Sequence, residues 1–407
     1  MPVNIFDILP EKKEPKKSFS LWFEFGILAC IFVIYIFVFL VYFPQYLSKN
    51  RLSFWAELLL VPLLLCGCFF FFRAVLWSNE NIEVDNWNKT RSAYYAELLK
   101  KGMVSLNIID LQIRLPDLNG GVVNMTGNSL LPVRYAPKYA RLSRYLTFNS
   151  SLDELNDNCT IRRRSVFLFN DIMNSLVGNI HAHLALLPDN AKVKVVCVLD
   201  DDLKPLMESI WTVHFDSIYP VIHVEFCESL PTTIDNWLDN TCAEYIILIA
   251  ANFHGAELIN DDIDNTSESV MLLFGKLKQK GEVTNKSSLG GLFRPEFNWE
   301  GIDKSLIWGR ADDRLKLSGV VYAGLDVHEL KKLVLKTTDF MSESALSSYN
   351  YIDSSNYMGI CPPLTEFLQV SYISENLPSG GYLLVNKYNN LLTSYFFYSV
   401  ADGKGAL

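Results

Sequence analysis

Hydrophobic and polar positions divide this chain into two regimes. From Leu21 to Phe43 it is apolar throughout, broken only by Glu24 near its start, and a second apolar run extends from Trp55 to Trp77 with Pro62 inside it. About 20 apolar residues span a bilayer as a helix, so both runs are expected to be transmembrane helices. They follow a polar tail over residues 1–20 and are joined by a short loop over residues 44–54. A cleaved signal peptide fits poorly, because the first run is long, lacks a small-residue cleavage site and is soon followed by the second.

After residue 77 the period changes. Residues 78–118 predict a linker helix, TRSAYYAELLKKG with Gly102 as its stop, and then the alternating strand VSLNIIDLQI ended by Pro116. Residues 119–407 predict a soluble α/β domain, beginning with a Gly-, Asn- and Pro-rich loop from Leu118 to Arg144. From Ser165 onward, helical stretches alternate with short apolar runs: KVKVVCVLD, VIHVEF and EYIILIAANF as strands, LKPLMESIWTVHF and the stretch around Thr232–Asn240 as helices. SESVMLLFGKLKQ fits either state, and Gly281–Arg314 reads as polar loop. Beyond it SGVVYAGLD is a strand, VHELKKLVLKTTDF and PPLTEFLQVSYISENL are helices, and GGYLLVNKY and LLTSYFFYSV form a hairpin across Asn389-Asn390. This alternation predicts the α/β class: two transmembrane helices, then a mixed, mostly parallel sheet layered with helices. No repeat with a period of 20–50 residues is present.

Charge sets the orientation and narrows the partners. Lys12, Lys13, Lys16 and Lys17 precede the first span, against Lys49 and Arg51 between the spans, which predicts a cytoplasmic N-terminus and, after two spans, a cytoplasmic C-terminal domain at a bacterial inner membrane. Trp22, Trp55, Arg73 and Trp77 are placed for the membrane interfaces, where amphipathic side chains settle. Residues 78–407 carry 29 Lys+Arg against 40 Asp+Glu, an acidic balance that argues against nucleic acid as a partner and leaves the lipid bilayer and another protein. Cys159, Cys197, Cys227, Cys242 and Cys361 are odd in number and widely spaced, which suits free thiols in a reducing compartment. The six Asn-x-Ser/Thr sequons carry little weight in an Asn-rich chain with this topology.

Candidate chemistry is sparse. Asp200-Asp201-Asp202 follows the strand KVKVVCVL, where carboxylates face the ligand crevice of an open α/β sheet. Asp200 and Asp202 could hold a divalent cation against a nucleotide-sugar diphosphate, in which respect they resemble the metal signature of nucleotide-sugar glycosyltransferases. The plainer reading is an acidic N-cap for the following helix. His181 with His183, and His223 with Glu225, lack the spacing of a zinc site; Asp261, Asp262 and Asp264 lack the later residues of a calcium loop; Arg162-Arg163-Arg164 reads as a charged turn. No phosphate loop, dinucleotide fingerprint, nucleophile elbow, HExxH or kinase signature occurs, and neither a cofactor nor a catalytic residue is expected.

The runs EYIILIAANF, SESVMLLFGK, SGVVYAGLD and MGICPPLTEFLQVSYISENLPSGGYLLVNK resemble the second half of a thiolase-like or ketosynthase-like fold, with a glycine-containing turn before a long helix and a last pair of strands. That family presents a Cys nucleophile at a strand-to-helix turn and histidines in its second half. Here the late turn reads Met358-Gly359-Ile360-Cys361 without histidine, and Cys197 lies within a predicted strand, so the resemblance implies a domain that has lost the activity. An anchored domain of this type also resembles accessory proteins of bacterial type VI secretion systems. Together these features predict a non-catalytic, membrane-anchored adaptor or scaffold, with a metal-dependent glycosyltransferase as the alternative.

Overall fold

The computed structural model describes residues 10–13, 21–42, 51–116, 122–124, 158–188, 190–239, 243–253, 268–278, 288–310, 317–341, 350–355, 361 and 363–400. It divides into two compact units, one over Asn4–Leu98 and one over Leu99–Leu407.

The N-terminal unit is helical. α1 spans Leu21–Tyr42 and α2 runs from Arg51 to Gly102 without a break, so the expected second span and linker helix are one element of 52 residues, roughly 80 Å at 1.5 Å per residue. Gly102 ends it, as expected. Among the described residues, one stretch, Leu60–Gly102, is long and apolar enough to cross a membrane, and the apolar stretch Gly26–Tyr42 of α1 is shorter. Residues 10–13 lie along the polar part of α2: Lys12 Nζ pairs with Glu83 Oε1 at 2.9 Å and Arg91 Nη1 with Glu11 Oε1 at 2.7 Å, while the Trp87 indole donates to the Pro10 carbonyl at 3.3 Å.

The C-terminal unit holds a twelve-stranded mixed sheet layered with helices, the α/β architecture expected from the sequence. In chain order its elements are β1 (Ser105–Pro116), β2 (Val122–Asn124), α3 (Asn158–Ala185), β3 (Val193–Val198), α4 (Lys204–His214), β4 (Val224–Phe226), α5 (Leu230–Asp239), β5 (Tyr245–Asn252) and β6 (Ser269–Lys278). They continue as β7 (Gly290–Phe293), β8 (Glu296–Phe297), α6 (Asn298–Arg310), β9 (Leu317–Ala323), α7 (Val327–Thr337), β10 (Tyr351–Asp353), α8 (Thr365–Asn376), β11 (Gly380–Tyr388) and β12 (Leu391–Ser399).

The order along the sheet is β10-β9-β11-β12-β7-β1-β6-β5-β3-β4, which is a duplication. The first half is β1-α3-β3-α4-β4-α5-β5-β6 and the second is β7-α6-β9-α7-β10-α8-β11-β12, each strand with the same neighbours as its counterpart. Pairing also repeats: β4-β3-β5 and β10-β9-β11 are parallel, whereas β5/β6, β6/β1, β11/β12 and β12/β7 are antiparallel. The halves meet at an antiparallel pair, Leu106 opposite Leu292, as two copies related by a local twofold must. The repeat is approximately 185 residues long (Leu106 to Leu292), far beyond the short periods sought in the sequence.

Alternation along the strands sorts the core into three layers. Val196, Val198, Ile246, Leu248, Tyr382, Leu384, Tyr395 and Phe397 turn inward, packing with Leu230, Ile234 and Trp237 of α5 and Phe367, Leu368 and Val370 of α8. Val195, Cys197, Ile247 and Ile249 turn outward beneath α3 and α4, and Val320, Leu383, Val385 and Phe396 beneath Ile302 and Leu306 of α6 and Leu333 of α7. Both faces of the strands are therefore buried, which is why they read as continuous apolar runs. SESVMLLFGKLKQ resolves as a strand, β6, central to the sheet.

Gly281–Arg314 is not loop where described: it contains β7, β8 and α6. Glycines that ordinarily break elements are here contact points. A Cβ on Gly309 would enter the Phe396 ring, and one on Gly290 would meet the Tyr398 carbonyl oxygen.

Candidate functional site

A cavity of about 570 Å³ opens where the C-terminal ends of parallel strands from both halves converge. β3 and the turn after it contribute Val198 to Asp201, β5 contributes Ala251 and Asn252, β9 Ala323 and β11 Asn386 to Tyr388. The two central helices aim their N-termini at it: Leu230 begins α5, and Thr365 and Glu366 begin α8. Ends of parallel strands and starts of helices are where open α/β sheets bind ligands, since unpaired N–H groups collect there.

The cavity thiol is Cys227. It follows the last residue of β4 and precedes α5 by three residues, so it stands at a strand-to-helix turn, held by its backbone N–H donating to the Cys197 carbonyl at 2.9 Å. Ser229 caps the helix start: its carbonyl accepts from the Thr233 N–H at 3.1 Å and hydroxyl at 2.7 Å. Cys227 is half-buried and lines the cavity, while Cys197 and Cys361 are fully buried; burial pushes the Cys197 thiol far up. The sequence reading stopped at Cys197, correctly placed inside β3, and missed the next cysteine. Its signal is present in VEFCESLPTT, a strand, a cysteine, a Ser cap and a helix.

Glu366, 5% exposed and in the first turn of α8, also lines the cavity. Burial pushes its carboxyl up to about 7, against the pull of its own backbone N–H and of the Tyr395 hydroxyl, which donates to Oε1 at 3.2 Å. A buried carboxyl titrating near neutrality in a cavity is equipped to exchange protons. No histidine lines the cavity among the described residues.

The other sequence candidates are brought to different ends. Asp200 and Asp201 reach the cavity rim. Burial, then the neighbouring Asp202 and Asp201 carboxylates, raise the Asp200 carboxyl, while Asp201 is tied to Lys204 at 2.6 Å. No cluster of three or more metal-ligating side chains occurs among the described residues. Asp200 and Asp202 do not cap α4, whose N-cap is Leu203 without a side-chain bond. His183 Nε2 bonds Asp110 Oδ2 at 2.9 Å and stacks on Phe274 at 4.0 Å, and His181 stacks on Phe215 at 4.5 Å. Glu225 pairs with Lys194 at 2.8 Å. Arg164 is no surface turn: it grips buried Glu268 in a bidentate pair at 2.6 and 2.9 Å. Asp261, Asp262, Asp264 and the turn at Met358–Ile360 lie outside the described residues, as do the side chains of Trp22 and Trp55; Arg73 and Trp77 lie on α2.

No family model matches the sequence, and no curated protein does. Solved structures do. A variant of OleA from Xanthomonas campestris aligns at 9% identity and a TM-score of 0.41 over 73% of this chain and 98% of its own. AbyA1, a tetronic acid condensing enzyme, aligns at 13% identity and 0.40 over 73% and 100%. AntDE:AntF, a type II polyketide ketosynthase in complex with its acyl-carrier protein, aligns at 9% identity and 0.45 over 73% and 99%. The likeness is to condensing enzymes. It extends to fold and not to chemistry, and it agrees with the thiolase-like or ketosynthase-like resemblance of the sequence. None of these three is a secretion component or a glycosyltransferase, and neither the adaptor role nor the glycosyltransferase expected from the sequence is borne out. The non-catalytic adaptor gives way to a chain with a cavity that holds a thiol and a titrating carboxyl.

Proposed function

We propose that this protein is a membrane-anchored acyltransferase whose cavity receives an acyl thioester and whose Cys227 accepts the acyl group. One observation carries the reading: a half-buried thiol at a strand-to-helix turn opens into the same cavity as Glu366, a buried carboxyl that titrates near 7. The Cys227 sulfur attacks the thioester carbonyl; the new C–S bond to Cys227 forms as the C–S bond to the carrier thiol breaks, and the Cys227 proton ends on the departing thiol. Glu366 is the cavity group suited to carry that proton between them. The exchange is redox-neutral and needs no metal. In this reading α1 and α2 form the two-span anchor, with the N-terminus and the catalytic unit on the cytoplasmic side. The ion pairs of Lys12 with Glu83 and Arg91 with Glu11 support that hairpin, because they bring the tail before α1 beside the segment that follows the second apolar run.

The test is consumption of an acyl-N-acetylcysteamine by the full chain in detergent, followed by chromatography of the N-acetylcysteamine that is released. The wild type is expected to consume it, Cys227→Ser to be inactive, and Glu366→Gln to be slower and to lose the rise in rate through pH 7. Equal rates for the wild type and Cys227→Ser would refute the proposal.

A further inference from the structure

Asn386, which lines the cavity, carries a side-chain amide whose direction is fixed by its neighbours. Ser354 sits in the turn after β10, and its hydroxyl donates to the Tyr322 carbonyl at 3.0 Å, so towards Gln369 it can only accept. That settles the amide of Gln369 on α8: its Nε2 donates to Ser354 Oγ at 3.0 Å and to Asn386 Oδ1 at 2.7 Å. With Oδ1 accepting, Asn386 must turn Nδ2 the other way. Asn386 is 6% exposed, lies on the inward-facing side of β11 with Tyr382 and Leu384, and lines the cavity. Its Nδ2 has no hydrogen-bond partner among the described residues. A buried amide donor left unpaired costs about 1–3 kcal/mol, and a ligand acceptor removes that cost.

The surrounding charge says which acceptor. Asp200, Asp201, Glu228 and Glu366 line the same cavity, and its two lysines are already engaged, Lys204 with Asp201 at 2.6 Å and Lys387 with Glu329 at 2.6 Å. An anionic ligand would face this acidic lining without a free cation among the described residues, whereas a neutral carbonyl suits an uncharged donor.

We infer that Asn386 Nδ2, oriented through Gln369 and Ser354, donates to the carbonyl oxygen of a neutral acyl ligand and selects it against the corresponding carboxylate. This deepens the acyltransferase reading and rests on it for the acyl class. It makes Asn386 a binding residue and Gln369 and Ser354 positioning residues.

The experiment separates this inference from the role of Cys227. Binding of an unreactive acyl amide, the nitrogen analogue of the N-acetylcysteamine thioester, is titrated into full-length Cys227→Ser in detergent at pH 8, alongside the fatty acid of the same chain. The amide is expected to bind at least tenfold more tightly than the carboxylate. Adding Asn386→Asp keeps the acceptor for Gln369 but replaces the donor, and should weaken the amide tenfold or more. Asn386→Ser, which withdraws the donor without adding charge, should do the same, with thermal unfolding showing both variants folded. Unchanged amide affinity in the two variants, preference for the carboxylate, or no amide binding by the parent overturns the inference. Cys227 acylation can fail while Asn386-dependent amide binding persists, which would sink the catalytic reading alone.

Discussion

At the scale of single residues, burial decides chemistry. Glu366 and Cys197 are both pushed up by desolvation, but Glu366 faces a cavity and Cys197 is sealed beneath α3 and α4. The folded Glu366 carboxyl keeps its proton up to about 7, whereas the unfolded chain releases it near 4.5. Its contribution is therefore most favourable below pH 4.5, declines as pH rises from there to about 7, and is constant above, a loss approaching about 3 kcal/mol. Glu366→Gln should remove that decline. Thermal unfolding at pH 5 and pH 8 checks it: the variant should gain on the wild type at pH 8 relative to pH 5, and a parallel pair of curves would contradict the assignment. Cys227 shows what single-residue reading missed. The strand expected over VIHVEF is only Val224–Phe226, and β4 hands the chain to Cys227 at its end.

Among the elements, those with one clean period were legible. β3, α4, α5, β5, β9, α7, α8 and the β11/β12 hairpin stand where apolar spacing put them. In the hairpin, Asn389 and Asn390 both take positive φ, 47° and 61°, the conformation a two-residue primed turn demands and asparagine tolerates. Asn390→Val should cost about 1–2 kcal/mol in a chemical denaturation midpoint, while Asn390→Gly should be neutral or stabilising. What was not legible is β7 and α6, because Gly290, Gly301 and Gly309 carry the signature of turns. Their role is close approach, to Tyr398, Glu296 and Phe396, and that depends on partners distant in sequence. The merging of the second apolar run with the linker helix into α2 was equally hidden, since polarity changes at Trp77 but helical geometry does not.

Across the whole molecule, the duplication explains where the site lies. Two copies of one β-α-β-α-β-α-β-β unit, joined through β1 and β7, bring the starts of α5 and α8 and the ends of β3, β5, β9 and β11 to one place. Each half supplies what the other lacks: the first gives the thiol, the second Glu366 and Asn386. The α/β class and the thiolase-like resemblance could be read from the sequence, but the repeat could not, because the copies share topology without a shared residue pattern. Since Leu99–Leu407 forms a compact unit, a chain starting near residue 99 should remain in solution after expression without detergent, while the full chain should sediment with membranes. Fractionation of both chains tests this. The most direct measurement of the central claim is peptide mass mapping of the full chain after brief incubation with an acyl-N-acetylcysteamine. One acyl adduct is expected, on Cys227, released by hydroxylamine and absent from Cys227→Ser. An unmodified Cys227, or acylation spread evenly over the exposed cysteines, would contradict it.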